Sequence, residues 1–222
     1  MPNWCSNYVT ISGPDVEKFR QDINKWHELS EVEKEYDPNI STDWLGRLLY
    51  NSGLVKYKIN TRKDQNGKET HDIELDFVPG DEISCRAFCS ELPIPDIDGD
   101  RFTLMYDSAW SPMINIWRRL ADFKNYDVDI TFTSEEPDCE IYVSNDDDVV
   151  GLYMVDACLP NGEEYMEQLT EKETISAFQN AFKTEENDFG KLTAMANNFN
   201  DNDLDYYIYV HEYEYADFCD VS

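Results

Sequence analysis

Positive charge is scarce in this chain. Its 222 residues hold 18 Lys and Arg against 47 Asp and Glu, a formal net charge of −29 with the three His neutral. Phosphate backbones are bound through Lys and Arg that release counterions, so DNA, RNA and anionic lipid are repelled by such a surface. Direct nucleic-acid binding and membrane binding are therefore not expected. No run of about 18 apolar residues is present to cross a bilayer. The opening Met1-Pro2-Asn3-Trp4-Cys5 lacks the basic and apolar regions of an export signal, so a cytoplasmic location is expected.

Catalytic and metal-binding signatures are also missing. There is no Gly-x-x-x-x-Gly-Lys-Ser/Thr loop, no Gly-x-Gly-x-x-Gly, no Gly-x-Ser-x-Gly and no His-Glu-x-x-His. The three His (27, 71 and 211) are far apart, which leaves no triad to assemble from sequence. Six Cys (5, 85, 89, 139, 158 and 219) are scattered through a chain much longer than a disulfide scaffold, and reduced thiols are the expectation. Cys85 and Cys89 stand four apart, as on one helix face, but a zinc site needs two more ligands at suitable spacing. Carboxylates are so frequent that no pair stands out as a general acid and base. The reading is a non-enzymatic protein with no cofactor and no metal.

What the chain does have is aromatic content and an uneven charge. Fourteen Tyr, 11 Phe and 5 Trp supply the apolar area that acidic disordered segments lack. Residues 1–124 carry 22 acids and 15 bases, whereas residues 125–222 carry 25 acids and only Lys172, Lys183 and Lys191. The expectation is a single compact α+β unit over 1–222. A subdivision into an N-terminal elaboration (1–100) and an acidic part (101–222) is the alternative.

Local patterns predict the elements. Tyr8-Val9-Thr10-Ile11 reads as a strand ending at Ser12-Gly13-Pro14. Pro14 and Asp15 then start a helix with Val16, Phe19, Ile23 and Trp26 on one face. Residues 28–39 read as a polar loop, and 43–51 as a short helix stopped by Ser52-Gly53. Alternation around Val55, Tyr57, Ile59 and around Ile73, Leu75, Phe77 predicts a hairpin turning at Asp64-Gln65-Asn66-Gly67. Residues 81–91 read as helical. Phe102–Tyr106 reads as a strand, followed by a helix with Ser111 as N-cap and Pro112 as first residue. Strands are expected at 128–132, 140–144 and 149–155. Thr170 and Glu173 form a capping-box pattern ahead of a helix carrying Ile175, Phe178 and Phe182. Asp205–Tyr215 closes the chain as a strand. From residue 102 this is a βαββαβ order, that of a ferredoxin-like split βαβ antiparallel sheet covered by helices on one side.

Three stretches carry a family resemblance. Pro2-Asn3-Trp4-Cys5-Ser6-Asn7 with Val9-Thr10-Ile11-Ser12-Gly13, then Glu91-Leu92-Pro93-Ile94-Pro95, then Ser108-Ala109-Trp110-Ser111-Pro112 occur in the order found in the Api-type proteins. These form a phage and plasmid family, related to plasmid YubB, with a ferredoxin-like domain. The resemblance implies that fold and a mobile-element origin in a bacterial cell, but no reaction and no catalytic residues. Trp4, Cys5 and Trp110 are read as core-packing or corner residues.

The acids of the second half contain part of a calcium-loop pattern. Asp201, Asp203, Asp205 and Glu212 fall at positions 1, 3, 5 and 12 of an EF-hand loop, but Tyr206 stands where the sharp turn needs Gly. The strand-like alternation over 206–215 also opposes a second helix. A looser cation loop at 201–205 or 146–148 is a weaker reading than solvated loops. The leading expectation is docking onto a basic, nucleic-acid-binding host protein, with carboxylates on a rigid sheet imitating phosphates. The candidate contacts are Glu135, Glu136, Asp138, Asp146, Asp147, Asp148, Glu163, Glu164, Glu185, Glu186, Asp188, Asp201, Asp203 and Asp205, with Tyr206 and Tyr213 as aromatic anchors. The alternatives are an assembly module whose charge serves solubility, and an enzyme whose site leaves no sequence signature. The oligomeric state is left open.

Overall fold

Alternation with period two organises the first strand, because successive side chains point to opposite faces of a sheet. A computed structural model describes residues 3–33, 43–63, 65–67, 69–77, 82–83, 85–96, 99–202 and 205–218. In it β1 (Trp4–Ser12) buries Cys5, Asn7, Val9 and Ile11 and turns Trp4 and Tyr8 outward. Gly13 ends the strand at φ +116, in a space where a Cβ would meet the Asp127 carbonyl at 2.9 Å. Asp15 then bonds the backbone of Asp127 at both its amide and its carboxylate, which seats the start of α1 (Val16–Glu33). Val16, Phe19, Ile23 and Trp26 form its buried stripe. The helix runs past residue 28, where a loop was expected, because Leu29 and its polar neighbours extend it without a breaking Gly or Pro.

Next come α2 (Leu45–Ser52), capped by Gly53 at φ +82, and the strands β2 (Val55–Lys63), β3 (Glu69–Phe77) and β4 (Glu82–Ile83). β2, β3 and β4 form an antiparallel three-stranded sheet, with Ile59 opposite Ile73 in the hairpin. The helix expected over 81–91 is absent: β5 (Ala87–Phe88) lies there instead. The reason is again a period of two, with Cys85, Ala87 and Cys89 buried and Arg86 and Phe88 turned out. The two Cys thus share a sheet side rather than a helix face.

β6 (Arg101–Ala109), α3 (Asn115–Lys124) and β7 (Asp129–Glu136) follow, and the two strands join β1 in the first sheet. β1 pairs antiparallel with both β6 and β7, and β5 adds to the far side of β6. β6 and β7 therefore run parallel to one another, separated by β1 and joined through α3. α3 starts at Asn115 rather than at Ser111-Pro112. Trp110 and Met113 take positive φ (68° and 52°), and that turn delays the helix.

The remaining elements are β8 (Ile141–Ser144), β9 (Tyr153–Cys158), β10 (Glu164–Leu169), α4 (Glu171–Phe182), α5 (Phe189–Asn202), β11 (Tyr207–Glu212) and β12 (Glu214–Tyr215). β9 begins later than expected because 146–151 form a turn, and β10 and α5 were not expected at all. The Thr170 capping box forms as predicted, with both reciprocal bonds present. The class is α+β.

By contact the chain divides into two units, Met1–Cys139 with Asp217–Ser222, and Glu140–Ala216. In the first, α1 and α3 bury Phe19, Ile23, Trp117 and Leu120, and Phe218 packs against Phe132 at 5.6 Å. In the second, β9 is central, with β10 and β11 antiparallel on its two sides. Val155, Ala157 and Ile208 face Phe178 of α4 and Leu192 and Ala196 of α5. β8 and β12 pair in parallel, and Tyr142, Met154 and Tyr213 form a small separate cluster. Among the described residues no helix is long and apolar enough to cross a membrane.

Candidate functional site

The opening motif is a structural cross-link. Asn7 is 1% exposed. Its Nδ2 donates to the carbonyls of Cys5 (2.9 Å) and Tyr106 (3.2 Å) and to Ser108 Oγ (2.9 Å). Its Oδ1 accepts from Ser134 Oγ at 2.8 Å. One side chain thus ties β1 to both neighbours, and its buried polar atoms are satisfied. The Ser108–Pro112 segment meets the same corner: Ser108 Oγ donates to the Ser111 carbonyl, Tyr106 Oη to the Pro112 carbonyl, and the Trp110 amide to the Asn3 carbonyl. Two of the three stretches behind the family resemblance therefore touch.

The thiols around that corner are held protonated. Burial, and then the Glu136 charge, push the Cys5 thiol up to about 12, and burial pushes Cys85 to about 12 and Cys89 to about 11. Thiols held that high carry almost no thiolate at neutral pH. Cys5 is core, as expected, but Trp4 and Trp110 are 46% and 54% exposed. Trp4 sits on the outward side of the pleat, opposite Ala109, and the positive φ of Trp110 turns it off the end of β6, under Arg86 at 4.9 Å. Trp4 meets Phe88 edge-on at 6.0 Å, and Tyr8 and Met105 lie opposite each other on the same open side.

The acidic candidates divide by position. Glu135 and Glu136 are buried at the end of β7, and the Glu136 carboxylate accepts the Cys139 amide. Neither presents charge to a partner, which corrects their assignment. Tyr213 is likewise no surface anchor: it is fully buried, packed edge-on against Tyr142, with its hydroxyl accepting from Gln168 at 3.0 Å. Asp138 is exposed.

The second unit holds 18 carboxylates and three Lys, and none of its described carboxylates is buried. Some shape the chain locally. Asp146 Oδ1 accepts the Asp148 amide and fixes the turn into β9, which carries exposed Asp147. Asp188 Oδ1 accepts the Lys191 amide at the start of α5. Glu186 accepts the Asp188 and Asn187 amides and pairs with Lys191 at 3.1 Å, and these bonds hold its carboxyl below the usual range. Glu185 is exposed beside it.

Others gather at one end of the sheet. Register places Glu164, Cys158 and Tyr207 in one cross-strand row, so the Glu163–Glu164 hairpin and the Asp205–Tyr206 approach to β11 share that end. Asp205 is exposed and Tyr206 half-buried. Asp146–Asp148 precede the opposite end of β9. Asp201 falls in the last turn of α5, and Asp203 lies outside the described residues. A cleft of about 450 Å³ opens beside this hairpin, lined by Glu163, Glu164 and Glu167 from the β10 side and by Asn180 and Lys183 from the α4 side. Among the described residues no group of three or more His, Cys, Asp or Glu is arranged to hold a metal ion.

Sequence reasoning missed Asp156, Met166, Tyr207 and Tyr209, which share the side of the sheet away from α4 and α5. The signal was available in β11, where Tyr207 and Tyr209 alternate with Ile208 and Val210. Comparison with protein-family models, curated proteins and solved structures finds no match.

Proposed function

We propose that this chain is a non-enzymatic acidic binding protein whose second unit docks onto a basic, nucleic-acid-binding protein of a bacterial host. The observation that carries this reading is the solvent-facing carboxylate excess of that unit, in which Lys191 is already committed to Glu186. Fixed charge of one sign on a folded scaffold raises the rate of encounter with a cationic surface and weakens with salt. The Api-type resemblance supplies the setting, a phage or plasmid product acting on a host protein such as a defence nuclease. The connection of β6 to β7 through α3 supports the ferredoxin-like part of that resemblance.

The test is capture from a bacterial lysate on the tagged full chain, washed over a salt series, with duplex DNA as competitor. Basic nucleic-acid-binding proteins should be retained at low salt, released as salt rises, and displaced by DNA. Retention that ignores both salt and DNA overturns the reading.

One observation favours a second reading, an assembly module. Trp4, Tyr8, Phe88 and Met105 leave an apolar side of the first sheet exposed, and surfaces of that kind mark protein contacts. Association of the purified chain that survives high salt and is lost in Trp4→Ser supports it.

A further inference from the structure

The outward side of the second unit's sheet has a defined chemical order. Cross-strand register sets three rows: Glu164, Cys158 and Tyr207; Met166, Asp156 and Tyr209; Gln168, Met154 and His211. The third row is largely covered at two of its three positions, since Tyr142 stacks on His211 at 4.4 Å and Met154 is buried, while Gln168 is exposed. The first two rows are open. Met166 is 54% exposed and Tyr209 49%, and the Tyr207 and Tyr209 rings stack at 5.2 Å. Among the described residues no Lys or Arg forms an ion pair with Asp156 or Glu164.

From this order we infer that these two rows are the docking surface for an arginine-bearing extended segment of the basic partner, an inference that rests on the function proposed above. A guanidinium is planar, stacks on aromatic faces and pairs with carboxylates through parallel hydrogen bonds. Asp156 and Glu164 supply the carboxylates, Tyr207 and Tyr209 the ring faces, and Met166 a polarisable floor. The rows are two residues apart, about 7 Å, which matches alternate side chains of an extended segment. Charge selects the occupant: nucleic acid and anionic lipid are repelled, and a second copy would bring carboxylates against carboxylates.

The experiment uses the full chain with labelled oligo-arginine and oligo-lysine peptides of equal length. Oligo-arginine should bind more tightly than oligo-lysine. Tyr209→Ala and Asp156→Asn should each weaken oligo-arginine binding by about fivefold or more, in line with a desolvated cation–aromatic contact and a charge-assisted bond. Tyr209→Phe should retain it, and Asp100→Asn, exposed in the first unit, should change it less than about twofold. Equal binding of the two peptides, or equal loss in Asp100→Asn and Asp156→Asn, overturns this surface while leaving acidic docking intact. Failure of both peptides to bind at low salt overturns the docking function as well.

Discussion

Arg20 shows what one buried charge costs and how it is compensated. It is 6% exposed on α1, and a guanidinium taken out of water must be paired and hydrogen-bonded. Its Nε and Nη2 donate to Glu17, its Nη1 to the carbonyls of Ile94 and Pro95, and its Nη2 also to Asp96. The Arg20 bonds, helped by Gln21, hold the Glu17 carboxyl down at about 2, below its ordinary 4.5. A lowered folded-state value means that the stabilisation is present above about pH 4.5 and is lost as pH falls toward 2. Glu17→Gln should therefore be less stable than the parent at neutral pH, and the gap should narrow on acidification. Urea unfolding at a series of pH values reads this directly, and a gap that widens toward acid contradicts it. Glu17 alone would suit a surface pair, and nothing in residues 14–20 marks Arg20 as buried, because its other acceptors, Ile94, Pro95 and Asp96, lie more than 70 residues away.

At the scale of elements, local sequence worked where the stabilising partners are local. The box at the start of α4 needs only residues 170–173: Thr170 Oγ1 accepts the Glu173 amide, and the Glu173 carboxylate accepts the Thr170 amide. Thr170→Ala should cost about 1 kcal/mol, read as a lower denaturant midpoint at unchanged slope. A change of slope instead would mean that α4 alters more than its cap. Where partners are distant, local signals misled. Ser111-Pro112 reads as a helix start, yet the Ser111 carbonyl is taken by Ser108 and the Pro112 carbonyl by Tyr106. The 81–91 segment has helical spacing in its Cys, but hydrogen bonds from Cys89 to Asp43 and from Ala109 to Arg86 draw it into extended pairing.

For the whole molecule, the net charge of −29 opposes compaction. Added salt screens that repulsion, with a Debye length falling from about 10 Å at 0.1 M to about 3 Å at 1 M. The unfolding temperature should rise across that range in a salt of weak specific effect. A fall would show that attractive ion pairs outweigh the repulsion. Few such pairs are visible among the described residues; Arg118–Asp122 is exposed, Lys191–Glu186 is partly so, and both are salt-sensitive.

Composition and periodicity by themselves determined the class, the alternating strands β1, β6 and β11, the capped helix α4 and the sign of the electrostatic field. Each depends on residues near in sequence or on a sum over all of them. Which carboxylates meet solvent was decided only by tertiary structure. Glu135-Glu136 and Glu163-Glu164 are equivalent as dipeptides, yet the first pair ends a strand in the interior and the second turns an exposed hairpin. The side of the sheet that gathers Asp156, Tyr207 and Tyr209 arises from the pairing of β9 with β11, whose facing residues are about 50 positions apart. Register of that kind is set by packing against α4 and α5, and no local pattern encodes it.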